Sequence, residues 1–119
     1  MGSFSISNKK LRKKTEYDAV FAMRKTVDSR LFKIFWGRNT CDTPRIGISV
    51  TKRNFAKAVS RNKLKRLVKE SFRLNSESLP LVDIVLVVKK EAALQTAGAF
   101  FVELDKKWQQ LTKTVKEQS

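Results

Sequence analysis

The sequence predicts a small α+β protein, helices layered on a sheet, with elements in the order α-β-β-β-α-β-α. Three observations predict it. RIGISVTKR, residues 45–53, alternates apolar and small or polar residues, as a half-buried strand does. An apolar stripe at helical spacing follows, over about residues 54 to 74. Then come five consecutive apolar residues, 84 to 88, as in a strand covered on both faces. Strand, helix and strand in that order form a crossover unit with parallel strands, which a general rule makes right-handed. The 119 residues suit one domain and can bury a core without disulfides.

Each element has its own signal. SNKKLRKK, residues 7–14, is a basic arm, and we divide the chain into this arm (1–14), one domain (15–116) and a polar tail (117–119). TEYDAVFAMRK, residues 15–25, predicts a short helix: Thr15 suits the N-cap, and Glu16 and Asp18 suit the positive end of the helix dipole. Tyr17, Val20, Phe21 and Arg24 share one side of it. RLFKIFWGR, residues 30–38, is aromatic and β-branched, with Phe32, Ile34 and Trp36 on one face and Leu31, Lys33 and Phe35 on the other. One further strand is expected before the long helix, without assigned residues. Finally Phe100 or Phe101, Leu104, Trp108, Leu111 and Val115 recur every three or four residues, an amphipathic helix.

Composition narrows the function. There are 26 basic and 11 acidic residues, a net charge of +15, and no histidine. A folded domain this basic meets something anionic: nucleic acid, an anionic membrane surface or an acidic protein. Without histidine the commonest general base near neutral pH and the commonest metal ligand are both missing. One cysteine, Cys41, allows neither an intrachain disulfide nor a cysteine metal cluster. The start lacks a signal-peptide core, and no stretch approaches a membrane span. MGSFSI departs from a myristoylation start, with Ile6 where Ser or Thr is wanted. These features point to a soluble protein of a reducing, cytosolic compartment.

The charge is concentrated on the long helix. From Lys52 to Arg73 there are nine bases and one acid, Glu70. Arg61, Lys65, Lys69 and Arg73 stand at successive i, i+4 positions, which disfavours a helix by a few tenths of a kcal/mol per pair, roughly 0.2–0.5. At 100° per residue the apolar stripe of Leu64, Leu67, Val68, Ser71 and Phe72 lies within about 80° of its centre, and Arg61, Asn62, Lys65, Arg66, Lys69 and Arg73 form one arc beside it. Glu70 is placed to pair with Arg66. Lys52, Arg53 and Lys57 extend the arc at the helix entry. A solvated face would intersperse signs; phosphates relieve the repulsion, and arginine forks match their oxygens. Asn62 can bond a ribose hydroxyl or a base edge. The pattern leaves DNA and RNA equally open.

PRIGISVTKRNFAKAVSRNKLKRLVKESFRL, followed by LPLVDIVLVVKK, resembles the protein subunit of bacterial ribonuclease P over residues 10 to 115. The likeness lies in a strand ending S-V-T-K-R, then A-V-S-R-N-K-L-K-R, then an apolar strand. Lys63 and Lys69 stand where that family often has arginine. The resemblance implies a two-layer sandwich with a small mixed four-stranded sheet and an unusual left-handed crossover. It implies that Lys52, Arg53, Lys57, Arg61, Asn62, Lys65, Arg66, Lys69 and Arg73 contact the catalytic RNA. It also implies a cleft for the single-stranded 5′ leader of precursor tRNA, made by Tyr17, Phe21, Lys33, Phe35, Ser49 and Thr51. Aromatic platforms suit unpaired bases; by helical spacing alone Tyr17 and Phe21 fit a core better than a cleft, and it is the resemblance that favours the cleft. The RNA subunit would carry the chemistry with Mg2+, so this chain would hold no catalytic residue, no metal, no cofactor and no small-molecule substrate, and would work in the bacterial cytoplasm.

Trp36, Trp108 and Phe101 are expected in the core and Cys41 in a loop or at an edge. Glu103 and Asp105, two apart on a helix, point to different faces and do not suggest a metal site. Two other functions are compatible with the charge. One is a structural RNA- or DNA-binding protein of ribosomal or nucleoid type. The other is a self-sufficient metal nuclease, which would need clustered carboxylates where this chain spreads them thinly.

Overall fold

The apolar run at residues 84–88 becomes the middle of the molecule. In the computed structural model, which describes residues 10–11, 14–39 and 41–117, the elements are α1 (Lys14–Ala22), β1 (Lys25–Asp28), β2 (Phe32–Arg38), β3 (Arg45–Ser49), α2 (Ala58–Asn75), β4 (Val82–Val88) and α3 (Ala97–Glu117). A 3₁₀ turn, Lys90–Leu94, joins β4 to α3. The sheet order is β1-β2-β4-β3. β2 runs antiparallel to β1 and β4, and β3 runs parallel to β4. The sheet is thus mixed and four-stranded, and the strands flanking α2 are parallel neighbours. Most of the basic arm (residues 1–9, 12 and 13) and the last two residues of the tail lie outside the described residues.

Both faces of the sheet are covered, unequally. On one, Phe32, Ile34 and Trp36 of β2 join Ile84, Leu86 and Val88 of β4 and Ile46 of β3 against Val68 and Phe72 of α2 and Phe100, Leu104, Trp108, Leu111 and Val115 of α3. Edge-to-face ring pairs, Phe32–Phe100 and Phe72–Trp108, fill this core. The buried Trp108 indole donates to Ser71 Oγ at 2.8 Å, so its one polar atom is satisfied. On the other face, α1 brings Val20 against Val85, with Leu11 beside them and Tyr17, Phe35 and Val87 at the margin.

Several boundaries differ from expectation. α1 ends at Ala22, not near Lys25: the Met23 and Arg24 amides bond only three residues back, and Arg24 adopts a left-handed φ of 56°. The strand left unplaced is β1, which buries only Val27 and has too few apolar residues to alternate visibly. α2 starts at Ala58, not Asn54. Thr51 forms a separate turn first, its Oγ1 accepting from the Asn54 amide and its carbonyl from the Phe55 amide. Leu31 precedes β2 and so escapes its alternation, joining the main core. Phe100 is the core ring of α3, while Phe101, turned about 100° from it, is half-buried. Leu11, assigned to the arm, is buried, and its amide donates to Ile46 O at 2.9 Å. Cys41 is a free thiol in the turn after β2.

Candidate nucleic-acid interface

Strand register assembles an open strip on the face that α1 only partly covers. Phe35 lies opposite Val85 and Lys33 opposite Val87. β3 sets Gly47 beside Val85 and Ser49 beside Val87. Phe21, projecting from α1 and 38% exposed, meets Phe35 edge-on, with centroids 4.8 Å apart. Lys33 Nζ stands 5.4 Å from the Phe35 ring centre, a cation beside an aromatic face. Beyond Val87 the strip opens into a groove of about 520 Å³, lined by Thr51, Arg53, Asn54, Val87, Lys89 and Lys90 among others. Of the six residues expected in a cleft, Phe21, Lys33, Phe35 and Ser49 lie on this strip and Thr51 lines the groove.

Tyr17 has a different part. A Cβ at Gly47 would fall 2.4 Å from Tyr17 Cζ, so the ring lies directly on the strand where only glycine leaves room. The phenol also makes a backbone hydrogen bond with Ile48, and burial raises its pKa above the ordinary phenol value. Tyr17 therefore seats α1 on the sheet and forms a wall of the cleft. The helix is further held by Arg45, which donates to Asp83 at 2.8 and 2.7 Å and to Glu16 at 3.2 Å. Those bonds hold the Arg45 guanidinium more firmly protonated than usual, Asp83 contributing most. Glu16, first read as a dipole residue, is also a tether.

On α2 the expected contacts separate into groups. Lys52, Arg53, Lys57, Asn62 and Arg66 are exposed, and Lys65 and Lys69 are half-buried. Lys57 occupies the N-cap without a side-chain cap, and no acid lies in the first turn. Cations there oppose the helix dipole and leave this end of α2 strongly electropositive. Arg61 is partly spent within the fold: its Nη1 donates to the carbonyls of Phe55 and Ala56, each at 2.9 Å, clamping the entry loop. Glu70 pairs with Arg73 at i, i+3, its Oε1 accepting from Arg73 Nε at 3.2 Å, instead of with Arg66. That pair lowers the Glu70 pKa and raises that of Arg73, and it neutralises one end of the arc.

Other acids are engaged within the fold: Asp28 pairs with Lys89, Glu103 accepts from the Ser29 hydroxyl and Asp105 from the Asn75 side-chain amide. Glu103 and Asp105 indeed face different elements. Sequence reasoning did not reach Lys89 and Lys90, which line the groove; the one signal was their position at the end of the buried strand.

The fold and these surfaces define a class, small two-layer α+β proteins with a cationic helix face beside an open aromatic sheet face. No helix among the described residues is long and apolar enough to cross a membrane. The chain belongs to the ribonuclease P protein family, whose model, Ribonuclease P, matches residues 6–113. It is 39% identical over 98 residues to the ribonuclease P protein component of Aliivibrio fischeri, covering 82% of this chain and 84% of that one. The corresponding protein of Legionella pneumophila is 35% identical over 103 residues, covering 87% and 89%. The solved RNase P protein of Staphylococcus aureus superposes with a TM-score of 0.80 at 25% identity, over 85% of this chain and 93% of that one. That of Thermotoga maritima gives 0.73 at 29%, over 82% and 92%. Membership makes the chain a protein component of a ribonucleoprotein endoribonuclease, with RNA as its partner.

Proposed function

We propose that the chain holds the catalytic RNA of ribonuclease P on the basic face of α2 and receives the single-stranded 5′ leader of precursor tRNA on the open sheet face. Lys52, Arg53, Lys57, Asn62, Lys65, Arg66 and Lys69 are the RNA contacts on this reading, with Arg61 positioning the entry loop. Phe21 and Phe35 offer ring surface to unpaired leader bases, and Lys33, Ser49, Thr51 and Lys89 stand beside the backbone path. Hydrolysis of the leader bond belongs to the RNA, whose bound Mg2+ supplies the metal chemistry; the carboxylates described above are tied up in pairs within this chain. The setting is the cytoplasm of a bacterium, with no small-molecule substrate.

One observation supports the reading: exposed Phe21 and half-buried Phe35, paired edge-on and flanked by Lys33, lie on the sheet face that continues past Val87 to the groove at Thr51 and Arg53. A merely structural RNA-binding protein needs the cationic helix but not an aromatic strip on the opposite side of the sheet. The test is reconstitution with ribonuclease P RNA, assayed on precursor tRNA at low magnesium. Cleavage should rise sharply when the chain is added, and the catalytic RNA should bind far better than a ribosomal RNA fragment. Its affinity should fall with salt at a log–log slope of several, at about 0.7–0.9 per phosphate contact. Equal binding of both RNAs without stimulation of cleavage would leave the structural, ribosomal-type reading in place.

A further inference from the structure

The turn that ends α1 is built on a strained residue. Among the described residues Arg24 is the single non-glycine with a positive φ, at 56°. This is the left-handed position after a helix that glycine commonly fills, because a Cβ there crowds the backbone. Two hydrogen bonds close the turn, Met23 N to Val20 O at 3.2 Å and Arg24 N to Phe21 O at 3.1 Å. The chain then enters β1 at once, with Lys25 opposite Trp36. The same turn lays Met23 on β2: a Cβ at Gly37 would fall 2.7 Å from Met23 Cγ. Gly37 is two residues past Phe35 on the strand and so lies on the same face of the sheet. Phe35, Phe21 and Met23 thus follow one another at one end of the strip, and the groove at Thr51 and Arg53 lies at the other, beyond Lys33 and Val87.

Two side chains at this corner are not used by the fold. Met23 leaves 52% of its surface in water, next to the exposed Phe21. The Arg24 side chain is exposed and has no hydrogen-bond or ion-pair partner among the described residues. A cation at the C-terminus of α1 gains from the helix dipole, but the positions of Ala22 and Met23 would supply that without a left-handed backbone. A strained residue with a free guanidinium, beside exposed apolar surface, is suited to a ligand that joins flat apolar groups to anionic oxygens. We propose that Met23 and Arg24 form an additional subsite for the leader, Met23 meeting the base of one more unpaired nucleotide beyond Phe21 and Phe35, and Arg24 its phosphate. This rests on the reading of the open sheet face as the leader site, and lengthens that site past the end of α1. The methionine side chain is unbranched and polarisable and adapts to any base, so the subsite responds to leader length and backbone charge more than to leader sequence.

The experiment measures binding of mature tRNA, and of precursor tRNAs with leaders lengthened one nucleotide at a time, to the holoenzyme reconstituted with ribonuclease P RNA. With the unaltered chain, affinity should rise in increments until the strip is filled. Arg24→Gly should remove one increment, about tenfold, the size of one charge-assisted hydrogen bond, and leave mature tRNA bound as before. That increment should differ from the one lost in Phe35→Ala, and Met23→Ala should reduce it as well. An uncharged methylphosphonate at the leader linkage responsible should have the same effect on the unaltered chain and none on Arg24→Gly. The melting temperature of Arg24→Gly should hold or rise, because glycine adopts the left-handed conformation freely. A lowered melting temperature with leader-bearing and mature tRNA weakened alike would make Arg24 a helix cap and overturn the subsite. Increments unchanged in Arg24→Gly while Phe35→Ala still loses one would overturn the subsite and leave the leader reading in place. No leader dependence in the unaltered chain would overturn both.

Discussion

Gly47→Ala is a small change that should unseat α1. The added Cβ would lie 2.4 Å from Tyr17 Cζ, 2.5 Å from its hydroxyl oxygen and 2.7 Å from Cε2. Carbon atoms sit comfortably at about 3.5–4.0 Å, so the ring must retreat by roughly 1 Å. It cannot slide freely, because α1 is held by Val20 in its small core and by the Glu16–Arg45 pair. Retreat breaks the hydrogen bond with Ile48, about 1 kcal/mol, and strains the local packing, for a total of about 1–3 kcal/mol. The lower entropy of alanine in the unfolded chain offsets about 0.4–1 kcal/mol of that. Thermal and urea unfolding should then report a net loss of about 1–2 kcal/mol, or roughly 3–10 °C in Tm for a domain of this size. Leader-bearing precursor tRNA should bind less well, since Phe21 moves with α1 away from Phe35, while catalytic-RNA affinity holds. The decisive control is Tyr17→Ala. In that background the Gly47→Ala change should cost nothing, giving a coupling of about 1–3 kcal/mol. An equal cost in both backgrounds would refute the steric reasoning.

Three other outcomes are expected. Phe21→Ala or Phe35→Ala should weaken leader-bearing substrate by about 5- to 150-fold, the worth of one stacked base, with mature tRNA and catalytic RNA bound nearly as before; a stability loss of about 3–5 kcal/mol without leader selectivity would instead mark them as core. Ser71→Ala should cost about 1–3 kcal/mol of stability by stranding the buried Trp108 indole, with RNA affinity per folded molecule unchanged, and an unaltered melting temperature would count against that bond. Tyr17 is the chain's single tyrosine, so phenolate absorbance reports it alone. Its midpoint should lie above that of the urea-unfolded chain. The folded phenol keeps its proton at a pH where the unfolded one has lost it, so the Tyr17 contribution to stability is complete below about pH 10 and declines as pH rises through the folded pKa. Coincident midpoints in the two states would contradict the buried seat.

Much of this protein is legible in the order of its residues because periodicity is a local property. The apolar alternation of residues 46–50, the stripe on α2 and the run at 84–88 each state which side must leave water, and the sheet and both long helices follow. The cationic arc is equally local, since 100° per residue places Arg61 through Arg73 without reference to anything else. What the fold decided are the relations between distant segments. β1 carries one buried valine and exists because β2 offers it an edge. Whether Arg61 and Arg73 face solvent or a carbonyl and a carboxylate depends on loop and pair geometry, and Glu70 sits within reach of both Arg66 and Arg73 on any helix. By spacing Tyr17 and Phe21 read more readily as core, and Phe35, sharing a face with Lys33, less so; the register sets Phe35 on the partly covered side of β2 and Gly47 under the Tyr17 ring. Leu11 reads as part of a basic arm, and only the fold draws it into the gap between Val20 and Val85. A residue's period is written in its neighbours, but its exposure is set by what the rest of the chain leaves uncovered.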